Sequence, residues 1–547
     1  MANLPLGTAK FARSSVWRQR ISTARGLPVK MLAALRLANS TARVVSGAFR
    51  QLAAASCFMA CDGGREGVQS SKYDNAVFSG SGRIEGTPDM PKRRDVLQWG
   101  AGSLAVAAFA GAVKAAPVRR KPNIVVILCD DLGFGDISTY GARNIATPAI
   151  DKMAREGVKM TNFYSAANLC TPSRAGLLTG RYPIRTGLGY EVIMVDDTRG
   201  LPLSEVTIAN ALKPDYATGL FGKWHLGHTE PYWPPTKHGF DKFFGIPYSH
   251  DMKPLALYEA DAATGSVVKS DVDYPMLQQQ FYEHAEKFIE ANRDRPFFVE
   301  LALSAPHLPE FPHKPFQGTS GAGPYGDVVR EIDSIVGRLL KKLEDLGLDK
   351  DTLVIFTSDN GPWFEGSSGG LRERKGGGAY DGGYHVPFIA RQPGFIPAGR
   401  VVDSMAMSID LLPTFCGLAG KPLPSGVTLD GLDIIDVLRK GAPSPHDELV
   451  LFDNEDVVGI RTQNYKYVTS AYYRGFRLPY ALLGYEELYD LRRDPSESYS
   501  IAAEQPEVLA DMKRRFADAR KTFAPLKHKE IPPIFVKMKA QFEHMQD

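Results

Sequence analysis

Between Pro122 and about Gly420 the chain alternates short apolar runs with longer amphipathic stretches. Asn123-Ile124-Val125-Val126-Ile127-Leu128-Cys129 is one such run, Asp351-Thr352-Leu353-Val354-Ile355-Phe356-Thr357 a second, and Pro296 to Leu303 a third. Runs this short, unbroken and rich in β-branched residues predict strands buried on both faces, because a half-exposed strand would alternate apolar with polar positions. From Gln279 to Asn292 and from Val328 to Leu346 apolar residues recur at three and four, the spacing of one helix face. This repeated alternation predicts an α/β fold with a large, mostly parallel sheet sandwiched by helices.

After about Gly420 the texture changes. Glu448 to Phe452, Val457 to Arg461 and Tyr465 to Thr469 are short alternating runs suited to antiparallel strands, and a helix is predicted near Pro506 to Thr522. The expected organisation is a catalytic domain over 117–420 and a smaller C-terminal domain over 421–547, an antiparallel sheet plus a helix.

The first 116 residues read differently. Lys92-Arg93-Arg94-Asp95-Val96-Leu97 holds a twin-arginine pair, followed by an Ala/Gly-rich apolar run from Trp99 to Val113 and then Lys114-Ala115-Ala116-Pro117. A basic start, a short apolar centre and small residues at the end make residues 90–116 a Tat-type export signal, with the protein expected in the periplasm or secreted. The apolar run is well short of the roughly 20 residues that span a membrane. Residues 1–50 contain nine Lys+Arg and no acidic residue. The expectation is that translation starts at Met90 and that 1–89 is an extension outside the fold, untranslated or disordered. The alternative is a mitochondrial transit peptide.

Charge sharpens this division. Of the chain's 65 Lys+Arg and 62 Asp+Glu, residues 1–89 hold 12 and 5 and residues 90–116 hold 4 and 1, leaving the remainder at −7. An acidic body gives no reason to expect nucleic acid as a partner. Of five cysteines, Cys57 and Cys61 fall in the leader, leaving Cys129, Cys170 and Cys416, which form neither a disulfide framework nor a zinc ligand set.

Two polar pairs follow buried strands closely: Asp130-Asp131 and Asp359-Asn360. In open α/β sheets ligands bind beyond the carboxyl ends of strands, and oxygen side chains meeting there would suit a hard cation such as Ca²⁺ or Mg²⁺. Each pair alone is more often a strand-end turn or a helix cap, and it is two pairs at equivalent positions that point to a metal. Gly321-Ala322-Gly323-Pro324-Tyr325-Gly326 fits a dinucleotide-binding fingerprint by letter only, as it contains proline and has no strand before it.

Cys170-Thr171-Pro172-Ser173-Arg174, followed by Thr179-Gly180-Arg181, resembles the signature C-x-P-x-R…T-G-R of the sulfatase family. The resemblance runs from about Lys121 to Ala502. Gly222-Lys223-Trp224-His225-Leu226-Gly227 carries it, as do Phe244 to His250, Ser304-Ala305-Pro306-His307, Gly370 to Gly376, and Leu488-Tyr489-Asp490-Leu491 with Asp494-Pro495 and Glu497. The wording is most similar to the arylsulfatase A and N-acetylgalactosamine-6-sulfatase branch.

The resemblance implies an alkaline-phosphatase-like fold and hydrolysis of sulfate monoesters of aryl alcohols or carbohydrates. It implies that a separate maturation enzyme oxidises Cys170 to formylglycine, whose hydrate is the nucleophile. Asp130, Asp131, Asp359, Asn360 and the modified Cys170 would surround one Ca²⁺ per chain, with Mg²⁺ the less favoured ion. Arg174 and Lys223 would hold the diol, Asp359 and His225 would take its two protons, and His307 and Lys375 would contact sulfate and protonate the leaving alcohol. Ser249 would orient substrate or a neighbouring lysine. The sequence departs from the family where E-G-G-x-R-x-P is common: here Asp381-Gly382-Gly383-Tyr384-His385-Val386-Pro387 puts histidine for arginine. The expected consequence is altered local packing, not lost catalysis.

Overall fold

The computed structural model describes residues 121–262, 265–473 and 476–528. The expected export signal at 90–116, the extension at 1–89, Cys57 and Cys61 lie outside the described residues.

Ten strands form one sheet: β1 (Asn123–Asp130), β2 (Val158–Met160), β3 (Ala217–Lys223), β4 (Lys242–Ile246), β5 (Ala256–Asp261), β6 (Gly265–Asp271), β7 (Phe297–Pro306), β8 (Thr352–Ser358), β9 (Phe388–Arg391) and β10 (Arg400–Val402). Their spatial order is β10-β2-β9-β8-β1-β7-β3-β4-β5-β6. The five central strands β8-β1-β7-β3-β4 are all parallel, whereas β9 and the β4-β5-β6 meander pair antiparallel. The sheet is therefore mixed, with its parallel part at the centre. Connections as short as those between β4, β5 and β6 cannot make a parallel crossover.

Successive side chains of β1 enter two different cores, as the unbroken apolar run predicted. Ile124, Val126 and Leu128 pack with Leu177, Leu412 and Phe415. Val125, Ile127 and Cys129 pack with apolar faces of α3 (Leu277–Ala291) and α4 (Gly323–Asp345), through Phe281, Ile289, Ile332 and Leu339. Helices α1 (Pro148–Arg155), α2 (Cys170–Thr179) and α5 (Leu411–Ala419) complete the two covering layers. Helix α2 is buried along its whole length.

A second sheet of four antiparallel strands comprises β11 (Leu449–Asp453), β12 (Asp456–Arg461), β13 (Tyr465–Val468) and β14 (Glu487–Asp490). Helix α6 (Pro506–Phe523) packs on it, and Met512 and Phe523 share a third core with Tyr164, Tyr182 and Met407. Among the described residues no helix is long and apolar enough to cross a membrane.

Close approach of β3 to its neighbours is set by Gly222, immediately before Lys223. Its φ is +130° and an added Cβ would lie 1.8 Å from the Ala302 carbonyl oxygen on β7. Alanine there combines a disfavoured backbone region with a clash against backbone that cannot move aside. Gly222→Ala is expected to destabilise by more than about 3 kcal/mol, read as a denaturant midpoint. Gly141→Ala, also at positive φ but in open space, should cost about 1 kcal/mol. Equal losses would contradict this reading of Gly222.

Candidate active site

The five parallel strands of the sheet centre end side by side, and each delivers polar residues at its carboxyl end. β1 ends in Asp130 and leads to Asp131, β8 to Asp359-Asn360, β7 to His307, β3 in Lys223 before His225, and β4 to Ser249. Cys170 is the first residue of α2, and Arg174, four residues on, lies on the same helix face. Lys375 comes from the long segment between β8 and β9.

These residues converge around the Cys170 sulfur. The Lys375 ammonium lies 3.2 Å from Sγ and 2.8 Å from Asp131 Oδ2. The thiol faces Asp130 Oδ1 at 3.4 Å and Asp131 Oδ1 at 3.8 Å. Arg174 forks onto Asp359 with Nε at 2.9 Å and Nη2 at 2.8 Å, and Nη2 stands 3.5 Å from Asp130. Lys223 Nζ donates to Asp130 Oδ2 at 2.6 Å. His307 Nε2 is 3.6 Å from Asp131 Oδ2. Asn360 donates to Asp131 at 2.7 Å, while its own carbonyl oxygen is buried without a partner. One ligand atom each from Asp130, Asp131, Cys170 and Asp359 lies within 4.8 Å of the others. Three carboxylates and an orphaned amide oxygen close together could hold a hard divalent cation, which prefers oxygen ligands. Ser249 is buried and its hydroxyl has no hydrogen-bond partner among the described residues.

Burial works against every charge here, and the neighbours decide each outcome. Burial raises the Asp130 carboxyl, but Lys223, His307 and Arg174 outweigh it and hold the carboxyl well below the usual range. Burial lowers the Lys375 ammonium, yet Asp131 and its neighbours keep it firmly protonated. Burial raises the Cys170 thiol well above its ordinary value, only partly opposed by Lys223 and Lys375. As a plain thiol it is a poor nucleophile, since the thiolate is the reactive form. Burial, with Lys223 and Arg174, keeps His225 neutral. Its Nε2 lies 3.0 Å from the Ile193 carbonyl, so the proton sits on Nε2. The buried Nδ1 has no partner and is left as a proton acceptor. Asp131 and His225 both adopt positive φ, at 64° and 59°, a backbone state kept where surroundings enforce it.

Two positioning residues were not singled out in the sequence. Thr171 accepts the Ile193 N–H at 3.0 Å and donates to the His225 carbonyl at 2.9 Å, tying both to the start of α2. Asn168 donates to the Gly378 carbonyl and its own carbonyl accepts the Gly376 N–H, which ties the Lys375 segment to the residues before Cys170. Thr171 stands inside the five-residue signature, so its position was the available signal; Asn168 carried none. His385 lies outside this cluster. It stacks on Tyr164 at 5.2 Å and sits 3.8 Å from Asp381, and Asp381 finds its lysine in the buried Lys466.

The sequence match covers this whole architecture. The family model described as Sulfatase matches residues 122–421, and one described as N-sulphoglucosamine sulphohydrolase, C-terminal, matches 378–522. The chain belongs to the sulfatase family. As a sulfatase it is a sulfuric ester hydrolase, acting on sulfate esters. Arylsulfatase A of Homo sapiens is 39% identical over 460 residues, covering 75% of this chain and 90% of that protein. N-acetylgalactosamine-6-sulfatase of Rattus norvegicus is 39% identical over 357 residues, covering 60% and 67%. The solved structure of the PsFucS1 sulfatase from Pseudoalteromonas sp. superposes with a TM-score of 0.68 at 30% identity, covering 75% of this chain and 92% of that one.

Behind Arg174, on β7, lies the buried Glu300, whose Oε2 has no partner. Burial pushes its carboxyl up to about 7, with Arg174 opposing. The folded value then exceeds the unfolded one of about 4.3. The folded state holds the extra proton, so this contribution to stability is present at low pH and lost as pH rises through about 7. Glu300→Gln is expected to flatten the stability profile over that window and to gain on the parent by about 2 kcal/mol between pH 5 and 8, measured by urea melts at both values. Parallel losses in both proteins would contradict the assignment.

Proposed function

We propose that this sulfatase hydrolyses sulfate monoesters of aryl or carbohydrate alcohols with a formylglycine nucleophile made from Cys170, and that Asp130, Asp131, Asp359, Asn360 and modified Cys170 hold one Ca²⁺. The observation that carries the reading is the convergence of Lys223, Lys375 and His307 with three carboxylates around one buried sulfur. A donor set supplied wholly by protein oxygens suits Ca²⁺ better than Mg²⁺, which keeps much of its water. When bound, that cation would polarise a sulfate oxygen and acidify the diol.

The chain's own groups supply the rest. Arg174 and Lys223 neutralise Asp359 and Asp130 and keep the diol oriented. Asp359 accepts the proton of the attacking hydroxyl as its oxygen bonds to sulfur. The bond from sulfur to the ester oxygen breaks, and the alcohol leaves with a proton from Lys375 or His307. The open Nδ1 of neutral His225 then takes the proton of the second hydroxyl. That electron pair re-forms the carbonyl, the bond from carbon to the sulfate oxygen breaks, and water rehydrates the aldehyde. Ser249, whose buried hydroxyl has no partner among the described residues, orients substrate or a neighbouring lysine.

His225→Ala tests the division of labour. With 4-nitrophenyl sulfate it should release one equivalent of nitrophenol and stall as a sulfated protein about 80 Da heavier than the diol form, or about 98 Da heavier than the aldehyde, at residue 170. Slow turnover with no trapped adduct would contradict the role of His225. Ca²⁺ should raise the melting midpoint of chelator-treated protein by mass action but leave Asp130→Ala unmoved; equal responses would contradict the ligand set.

The twin-arginine segment supports work in the periplasm or outside the cell after folding, with a maturation enzyme as the required partner. N-terminal sequencing of protein from its own host should find neither 1–89 nor the signal.

A further inference from the structure

Of the charged groups packed around the sulfur, His307 and Lys375 have the most accessible side chains, each 11% exposed, against 0–3% for Asp130, Asp131, Arg174, Lys223 and Asp359. With the sulfate drawn inward, the alcohol part of the ester leaves past these two side chains.

The His307 side of that opening is aromatic, and two further aromatics lie in the segment bonded to the Lys375 backbone. On the His307 side, the His250 ring lies 5.6 Å from His307 and 6.0 Å from Phe311, and Phe311 lies 4.6 Å from Tyr274. On the Lys375 side, the Lys375 N–H bonds the Pro362 carbonyl at 3.0 Å, and Trp363 and Phe364 follow, their rings 4.8 Å apart. Phe311, Trp363 and Phe364 are 37%, 41% and 70% exposed, three of the five large aromatics so exposed among the described residues. Single exposed apolar residues need no explanation, but such residues gathered in two segments beside one polar site do. The cations beside them are engaged: Lys253 sits 4.1 Å over Tyr274, and Arg374 donates to the Trp363 carbonyl at 2.9 Å. In these segments Asp251, Glu310, Glu365 and Glu373 match Lys253, Lys314, Arg372 and Arg374 in number, so the surroundings carry no excess of positive charge that would favour a polyanion.

We propose that Phe311 and Tyr274, with Trp363 and Phe364 of the segment bonded to Lys375, form the specificity-determining subsite for the alcohol. The occupant is a single uncharged ring, packed against these side chains, and not a multiply sulfated chain. The proposal rests on the sulfatase reading above. Ring stacking adds binding beyond burial alone, so each aromatic removed should weaken a ring-bearing ligand and leave bare sulfate untouched.

The test compares two inhibitors of the full, converted enzyme: inorganic sulfate, which fills the polar site only, and benzenesulfonate, which adds a ring on a bond that does not hydrolyse. Phe311→Ala and Trp363→Ala are expected to raise the inhibition constant of benzenesulfonate about 3- to 10-fold each and to raise KM for 4-nitrophenyl sulfate in step. The inhibition constant of sulfate and the melting midpoint should not change. Wild-type protein that binds benzenesulfonate no more tightly than sulfate, or variants that bind it as well as wild type, would overturn the subsite and leave the sulfatase reading intact. Tighter inhibition by a disulfated monosaccharide than by benzenesulfonate would overturn the ligand class. Failure of wild type to bind either inhibitor or to turn over any sulfate ester would overturn the sulfatase reading, and the subsite with it.

Discussion

Everything in this molecule depends on keeping three carboxylates and three cationic side chains packed around one sulfur atom with almost no surface exposed to solvent. Asp130, Asp131 and Asp359 face Arg174, Lys223 and Lys375, and all but Lys375 are nearly inaccessible. Placing so many charges in a protein interior costs several kcal/mol per ion, and removing one partner leaves its opposite uncompensated. The cluster is therefore a poor device for stability and a good one for function. It presents fixed dipoles and charges to an anion without having to reorganise when the anion reacts.

Such a cluster needs a rigid support, and the topology supplies it twice. Five adjacent parallel strands, covered on both faces, end at the same level, so the residues after β8, β1, β7, β3 and β4 fall on one rim. The Lys375 segment, which comes from no strand, is held from behind by the second sheet. Lys466 on β13 is fully buried between Asp381 and Glu497, and Glu497 Oε2 accepts the Asp381 N–H at 2.8 Å. Arg372 donates to the Glu497 carbonyl at 2.9 Å and to Tyr489 at 2.8 Å. The C-terminal motif ending in Glu497 thus acts on the active site through the backbone that carries Lys375. His385 fits this arrangement: it packs against Tyr164 while Lys466 and Arg461 bring positive charge to Asp381.

The strands were legible because burial on both faces leaves a local mark. An apolar run such as Ile124 to Leu128 admits few other readings, and β1, β7 and β8 were found within three residues of their ends. The direction of the outer strands was not legible, since pairing depends on partners far along the chain; the mixed sheet shows only in three dimensions. The site residues were legible through their motifs, and their convergence follows from strand ends that share one rim. Thr171 and Asn168 were missed because their work is done by hydrogen bonds to backbone of distant segments, which no spacing along the chain encodes.

The account turns on the chemical state of residue 170. Burial raises its thiol well above the ordinary value, with Lys223 and Lys375 opposing, so the unmodified side chain is a poor nucleophile. The most direct measurement is the mass of the proteolytic peptide containing residue 170, from protein purified out of its native host and assayed on a sulfate ester in the same preparation. The account predicts a peptide about 18 Da lighter than the cysteine form, the mass of the aldehyde, in an amount that tracks activity. Full activity from protein carrying only the unmodified thiol would contradict it.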